Sequence, residues 1–312
     1  MNRKIAVIGS MNVDLVSRVP RFLLPGETLE GYDFHVYPGG KGGNQAVAAS
    51  RLTEGVVMLG KLGDDANSLL YWNAFKENGI DASCVQTEKN INTGTAVIEV
   101  DTSSGDNRIV YIPGANRRVD ISQVEAHWEK LTACDIFLLQ LEIPMDTVVY
   151  AIKRLHEAGK TVILDPAPAV ALPEGLLSLC DYVTPNEVEL SLLTGLPCET
   201  REQRMKAGRR LHELGVRQVI LKAGKQGAFL IREGEERLFP GYKVKAVDTT
   251  AAGDSFNAGL AAALARGMTA GEAVFYANAV GALSTLGAGA QGAMPTKIQV
   301  EDFIKAYGKG EN

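Results

Sequence analysis

The 312-residue chain has few cysteines and none of them paired in sequence: Cys84, Cys134, Cys180 and Cys198 stand far apart, and the four histidines are scattered. Neither a disulfide framework nor a zinc cluster is indicated, so buried, reduced thiols in cytoplasm are expected. Long apolar runs are missing too, and nothing approaches the roughly 18 residues of a membrane span. The first apolar run, Ile5 to Ile8, is too short for a signal-peptide core of about 7–15 residues. It reads as a buried strand. Positive charge is in short supply: 32 Lys and Arg against 37 Asp and Glu leave a formal charge of −5, no footprint for nucleic-acid phosphates. The small basic cluster Arg201, Arg204, Lys206, Arg209 and Arg210 is expected on the solvated side of a helix. Two nucleotide fingerprints are absent as well. Gly9-Ser10-Met11-Asn12 lacks the G-x-G-x-x-G of a dinucleotide turn, which disfavours a dehydrogenase. Gly55 to Lys61 spells G-x-x-x-x-G-K, but Leu62 stands where a phosphate loop needs Ser or Thr, and the stretch reads as a buried strand.

What is present is a rhythm. Apolar strand runs at Val56–Leu59, Ile136–Leu139, Val162–Leu164, Tyr182–Thr184 and Val219–Leu221 are mostly separated by helical patterns. One helix opens on the capping-box pair Thr200 and Gln203, carries Met205, Gly208, Leu211 and Leu214 at i+3, and stops at Gly215. Another is expected from Asp146 as N-cap to Gly159. Such alternation predicts an α/β fold with a mostly parallel sheet covered on both faces, and ligands beyond the strands' carboxyl ends. Two stretches break the rhythm. Residues 12–38 alternate apolar and polar positions between Pro20, Pro25, Gly26 and Gly31, and residues 93–116 read as a hairpin turning at Ser103–Asp106. They are expected to form a small β-sheet attached to one α/β domain spanning residues 1–312.

Chemistry concentrates in two glycine- and alanine-rich turns. In Asp248-Thr249-Thr250-Ala251-Ala252-Gly253-Asp254, small residues allow close backbone approach, and the helix that follows aims unpaired N–H groups and a positive dipole end at a ligand. A lone Asp there would serve as a helix cap. In Gly39-Gly40-Lys41-Gly42-Gly43-Asn44-Gln45-Ala46, the glycines permit positive φ while Lys41 and Asn44 supply donors and an acceptor, which suits a polyhydroxylated ligand. Together these strings resemble the two signatures of the ribokinase-like sugar kinases, G-G-K-G-x-N-Q-A and D-T-T-G-A-G-D, with Ala251 in place of the commoner glycine. The resemblance runs in order along essentially the whole chain.

That resemblance implies a ribokinase-like three-layer sandwich whose small sheet, from insertions at about 12–38 and 93–116, forms a lid over the sugar. It implies an ATP-dependent kinase acting on a primary hydroxyl, with the 5-hydroxyl of ribose as first expectation. Deoxyribose, a nucleoside, a ketohexose or a keto-deoxy sugar acid are same-family alternatives, and a non-catalytic sugar- or nucleotide-binding regulator is a different class. By resemblance Asp254 is the base, and the amides of Ala251, Ala252 and Gly253 form the anion hole. Asn12, Asp14, Gly40, Lys41, Asn44 and Glu142 face the sugar. Asn186 and Glu189 hold Mg²⁺ and phosphate, although Asn186 alone would be an ordinary helix N-cap. Lys222, Gly224, Gly227 and Asn278, with Gly253, bind the nucleotide. A monovalent cation, K⁺, is expected beside Asp248, Thr250, Gly289 and Ala293, where family members often place a serine in the last position. The implied partners are ATP, a small sugar and a second copy through the lid, with neither nucleic acid nor membrane.

Overall fold

The computed structural model describes residues 3–308; the outermost residues of the expected 1–312 unit, 1–2 and 309–312, lie outside the described part. Strand β1 (Ile5–Ile8) opens the chain, and β2 (Asn12–Val19) with β3 (Asp33–Gly39) leaves the main body. Strands β4 (Val57–Gly63) and β5 (Asp81–Glu88) return to it, and β6 (Gly94–Asp101) with β7 (Asn107–Ile112) leaves again. The rest stay: β8 (Ile136–Leu139), β9 (Thr161–Leu164), β10 (Tyr182–Val183), β11 (Gln218–Lys222), β12 (Gly227–Arg232) and β13 (Glu235–Pro240).

The main sheet has nine strands in the order β13-β12-β11-β10-β9-β8-β1-β4-β5, and β3-β2-β6-β7 form a separate four-stranded sheet. From β11 to β5 every pairing is parallel, while β12 and β13 add an antiparallel edge. Parallel strands need covered crossovers, and helices supply them. Helices α1 (Lys41–Leu52) and α2 (Ser68–Glu77) cover one face. Helices α3 (Ile121–Ala126), α4 (Trp128–Thr132), α5 (Met145–Glu157), α6 (Glu187–Thr194) and α7 (Arg201–Glu213) cover the other. Helices α8 (Ala252–Ala265), α9 (Ala270–Ser284) and α10 (Lys297–Gly308) return to the first. The period of two shows directly in β1, where Ile5 and Val7 join one apolar core while Ala6 and Ile8 join the other. Hence the apolar, non-alternating strand runs.

Small residues set how closely the layers approach. A Cβ placed on Gly259 of α8 would lie 2.9 Å from Val280 Cγ2 and 3.1 Å from Ala277 Cα, so α8 and α9 pack almost backbone to backbone. Helix α7 opens on the expected Thr200–Gln203 capping box. Helix α5 differs: it begins at Met145 after Pro144, and Asp146 lies inside the first turn, its carboxylate accepting from the Thr147 amide at 2.8 Å. Proline's fixed φ already suits a helix entry, so no side-chain cap is required. One member of the basic cluster also departs from expectation. Arg204, only 12% exposed, turns back to donate to the Cys198 carbonyl and to Gln226 Oε1, whereas its four companions stay in solvent. All four cysteines are free and buried, and the G-x-x-x-x-G-K look-alike is the buried strand β4, with Lys61 paired to Glu88 and Asp120. Among the described residues no helix is long and apolar enough to cross a membrane.

The chain runs from β1 through β4 to β5 on one side, then from β8 through β9 and β10 to β11 on the other. The strand order therefore reverses between β1 and β8, and the crevice at their carboxyl ends is where ligands of such sheets bind.

Candidate active site

Loops from five parallel strands and the N-termini of α1, α6 and α8 meet at that crevice. Asp254, in the first turn of α8, is 6% exposed. Its Oδ2 accepts from Asn44 Nδ2 at 3.0 Å and its Oδ1 from Gln45 Nε2 at 3.1 Å. Burial pushes its carboxyl upward, Lys41 opposes this, and Asp165 adds to it, leaving the group above the ordinary carboxylate range. Asn44 is held in turn by Gln291 Nε2 on its Oδ1 at 3.2 Å.

The other sugar-side candidates surround this pair. Gly40 has φ 82°, and a Cβ there would come within 2.6 Å of the Asn12 amide. Only glycine fits. Asn12 is buried and accepts at Oδ1 from Asn116 Nδ2 at 2.7 Å. Asp14 lies against Gly39, where a side chain would collide with its carboxylate. Burial first, then the charges of Glu142 and Asp254, push the Asp14 carboxyl up to about 6. Glu142, just beyond β8, accepts from the Lys41 amide at 3.1 Å and from the Ser10 hydroxyl. Burial works against the Lys41 ammonium, but Asp254, Asp165 and Glu142 outweigh it and hold its charge firmly. The result is a polar pocket with three carboxyl groups and one ammonium.

On the far side of Asp254 lies a cavity of about 260 Å³ whose lining includes Lys222, Gly224, Gly227, Gly253 and Asn278. The five nucleotide-loop candidates thus share one space, walled also by Tyr242, Val244 and Phe256. Asn278 Nδ2 donates to the Phe239 carbonyl at 3.0 Å. Asn186 and Glu189 lie outside that lining and form a complete capping box at the start of α6. Asn186 pairs with Lys222 across a single β-bridge, which places this box beside the cavity. Burial raises the Glu189 carboxyl and the neighbouring Lys222 charge partly offsets the rise.

Of the three amides expected in the anion hole, Ala252 N–H is engaged by the Thr249 carbonyl at 3.2 Å. Ala251, with φ 59°, turns the chain so that the first helical amides open toward the cavity. No backbone acceptor among the described residues takes the Ala251, Gly253 or Asp254 N–H, so the Asp254 amide joins the available donors.

For the cation candidates, Asp248 Oδ1 accepts from the Thr250 amide at 2.9 Å and hydroxyl at 2.7 Å, and Oδ2 accepts from the Gly289 amide at 3.0 Å. Burial would raise this carboxyl, but those bonds prevail and hold it below its usual range. Three of the four residues are therefore tied together. Ala293 packs against Gly287 instead, its methyl offering no ligand. Among the described residues no group of three or more His, Cys, Asp or Glu forms a divalent-metal cluster.

Several functional-looking groups escaped the sequence reading. Asp165, just past β9, is 2% exposed and pairs with Lys222 at 2.8 Å. Gln45 was legible as part of the glycine-rich string but not as a partner of Asp254. Gln291, Asn116 and Tyr71 reach the site from distant loops or helices, and no local pattern marks them.

The chain belongs to the pfkB family carbohydrate kinases, which it matches over residues 2–297. Within that family it is 39% identical to the ribokinase of Haemophilus influenzae over 98% of this chain and 99% of the relative. It is 36% identical to the deoxyribokinase of Salmonella typhi over 96% and 98%. Among solved structures it resembles Arabidopsis thaliana ribokinase complexed with ribose and ATP, with TM-score 0.90, 34% identity, and coverage of 98% and 99% of the two chains.

Proposed function

We propose that the chain transfers the γ-phosphoryl group of ATP to the 5-hydroxyl of ribose. The observation that carries this reading is the position of Asp254: a buried carboxylate between the polar pocket of Asn12, Asp14, Lys41, Asn44 and Glu142 and the glycine-walled cavity at Lys222. Phosphoryl transfer requires positioning and charge neutralisation more than covalent chemistry. Asn44 and Gln45 fix the Asp254 carboxylate in one orientation, so it can receive the proton of a hydroxyl held in the sugar pocket. The free amides at the start of α8 face the phosphoryl oxygens and oppose the charge that spreads over them. Magnesium arriving with the triphosphate would neutralise further charge, and Asn186 and Glu189 are the residues to hold it through water. Potassium beside Asp248, Thr250 and Gly289 would add a fixed positive charge near the same helix start.

The sugar pocket, with Asp14, Glu142 and Asp254 against the single Lys41, favours a neutral, hydroxyl-rich sugar such as ribose over a phosphosugar, which would call for more Arg or Lys. The four-stranded sheet serves as a lid that excludes water from the transfer, and its exposed apolar face pairs two copies. Four buried free thiols fit work in the cytoplasm. The reading is tested by Asp254→Asn, which is nearly isosteric and still accepts from one of Asn44 and Gln45 but cannot take a proton. It should lower kcat by about 10²- to 10⁴-fold with little change in either KM; retention of more than about a tenth of the activity would remove Asp254 as the base. A panel of ribose, deoxyribose, hexoses and nucleosides decides the substrate, and a hundredfold higher kcat/KM for another compound, about 2.7 kcal/mol of discrimination, would replace ribose.

A further inference from the structure

We propose that Asp165 is a positioning residue that locks the proton-accepting Asp254 and the phosphate-side Lys222 into one arrangement, each through a different oxygen of its carboxylate. The inference rests on the reading of Asp254 as the base. Asp165 follows β9 and is 2% exposed, so its charge has no solvent to share it. Oδ1 accepts from Lys222 Nζ at 2.8 Å, and Oδ2 accepts from Gln45 Nε2 at 2.9 Å. That same Nε2 donates to Asp254 Oδ1 at 3.1 Å, while Gln45 Oε1 accepts from Gln140 Nε2 at 2.7 Å.

The Gln45 amide is therefore oriented by charge. Its nitrogen lies between two carboxylates, and turning it over would place a carbonyl oxygen against both. Asp165 thus joins Gln140 in holding the nitrogen end of Gln45 toward Asp254. On the other side it draws the Lys222 ammonium toward the start of α8, where a Cβ on Gly253 would lie 3.6 Å from Nζ. A buried ion pair is a poor stabiliser when compared with well-packed apolar groups. An ion pair joined to the base on one side and to the cavity wall on the other has a purpose in the reaction.

Asp165→Asn distinguishes this from a structural salt bridge. The carboxamide can accept from Lys222 or from Gln45 but not from both, since its nitrogen would face one of these donors. The expected result is a 10- to 100-fold loss of kcat with the KM for ribose changed less than threefold. Gln45→Met should cause a similar loss, and the double variant should lose no more than the worse single one, because both act along one path. Losses that multiply, or an Asp165→Asn enzyme with kcat within twofold of the parent and only a lowered melting temperature, would overturn the proposal. If Asp165→Asn does not fold, Asp165→Glu, which keeps the charge but displaces both oxygens by one methylene, takes its place. In that protein kcat within twofold of the parent again overturns the proposal, and a tenfold or greater loss at preserved ribose KM supports it. Asp254→Asn keeps the two readings apart: full activity there defeats the base assignment, whereas its loss alongside an unaffected Asp165→Asn defeats only the link described here.

Discussion

Ala251 is one of two described non-glycine residues with positive φ, and it stands at the entrance to α8. A side chain in the left-handed region costs about 1–2 kcal/mol, partly offset because glycine has more freedom to lose on folding. Ala251→Gly should therefore raise stability by up to about 1 kcal/mol in denaturant melts while leaving kcat within about twofold. Asp14 gives a pH prediction with a definite sign. Its carboxyl is pushed up to about 6 by burial and by Glu142 and Asp254, so it is ionised above that pH and protonated below it. The KM for the sugar should rise as pH falls from 7 to 5, and Asp14→Asn should be uniformly weak across that interval. An unchanged slope in the variant would assign the titration to another group. At this scale legibility was uneven for a physical reason. Residues beside glycine-rich turns announce themselves, because close backbone approach restricts the sequence. Asp165 carries the same positional mark as Glu142, a carboxylate just beyond an apolar strand, and the same rule would have found it. Gln291 and Asn116 have only their final neighbours to identify them.

Among the elements, α6 separates a structural cap from a ligand-holding role. Asn186 Oδ1 accepts from the Glu189 amide, and Asn186 Nδ2 donates to Glu189 Oε1 at 2.9 Å. Serine retains the capping oxygen but loses the second bond. Asn186→Ser should thus leave the melting temperature nearly unchanged and raise the KM for ATP, whereas with a cap without function both would stay unchanged. Helices α8 and α9 give the contrasting case. Gly259→Val should destabilise the protein by about 1–3 kcal/mol through overpacking against Val280, with no direct effect on ligand affinity. Element types were legible where period and caps agreed, as at Thr200 with Gln203. The start of α5 was misplaced because proline and aspartate both mark helix entries and sequence does not rank them.

For the whole molecule, the four-stranded sheet was legible as two β-rich interruptions, but its strand order was not, since β2 pairs β6 in parallel from the other interruption. Alternation says which face a residue takes and nothing about which strand lies beside it. All of β7 is exposed at the edge of that sheet, with Ile109 and Val110 57% and 62% accessible. If this edge pairs two copies, light scattering should give a dimer at micromolar concentration, and Val110→Glu should yield a monomer; a fully active monomeric parent would remove the dimer from the proposal. The placement of β1 in the large sheet also has a consequence during synthesis. It pairs with β4 on one side, but its other neighbour, β8, emerges more than a hundred residues later. At about 5–20 residues per second, the growing chain carries an open apolar strand edge for roughly 6–26 s. Ribosome-stalled chains ending near residue 130 should be bound by chaperones and cleaved readily by protease, and chains in which β8 and β9 have left the ribosome should begin to resist both.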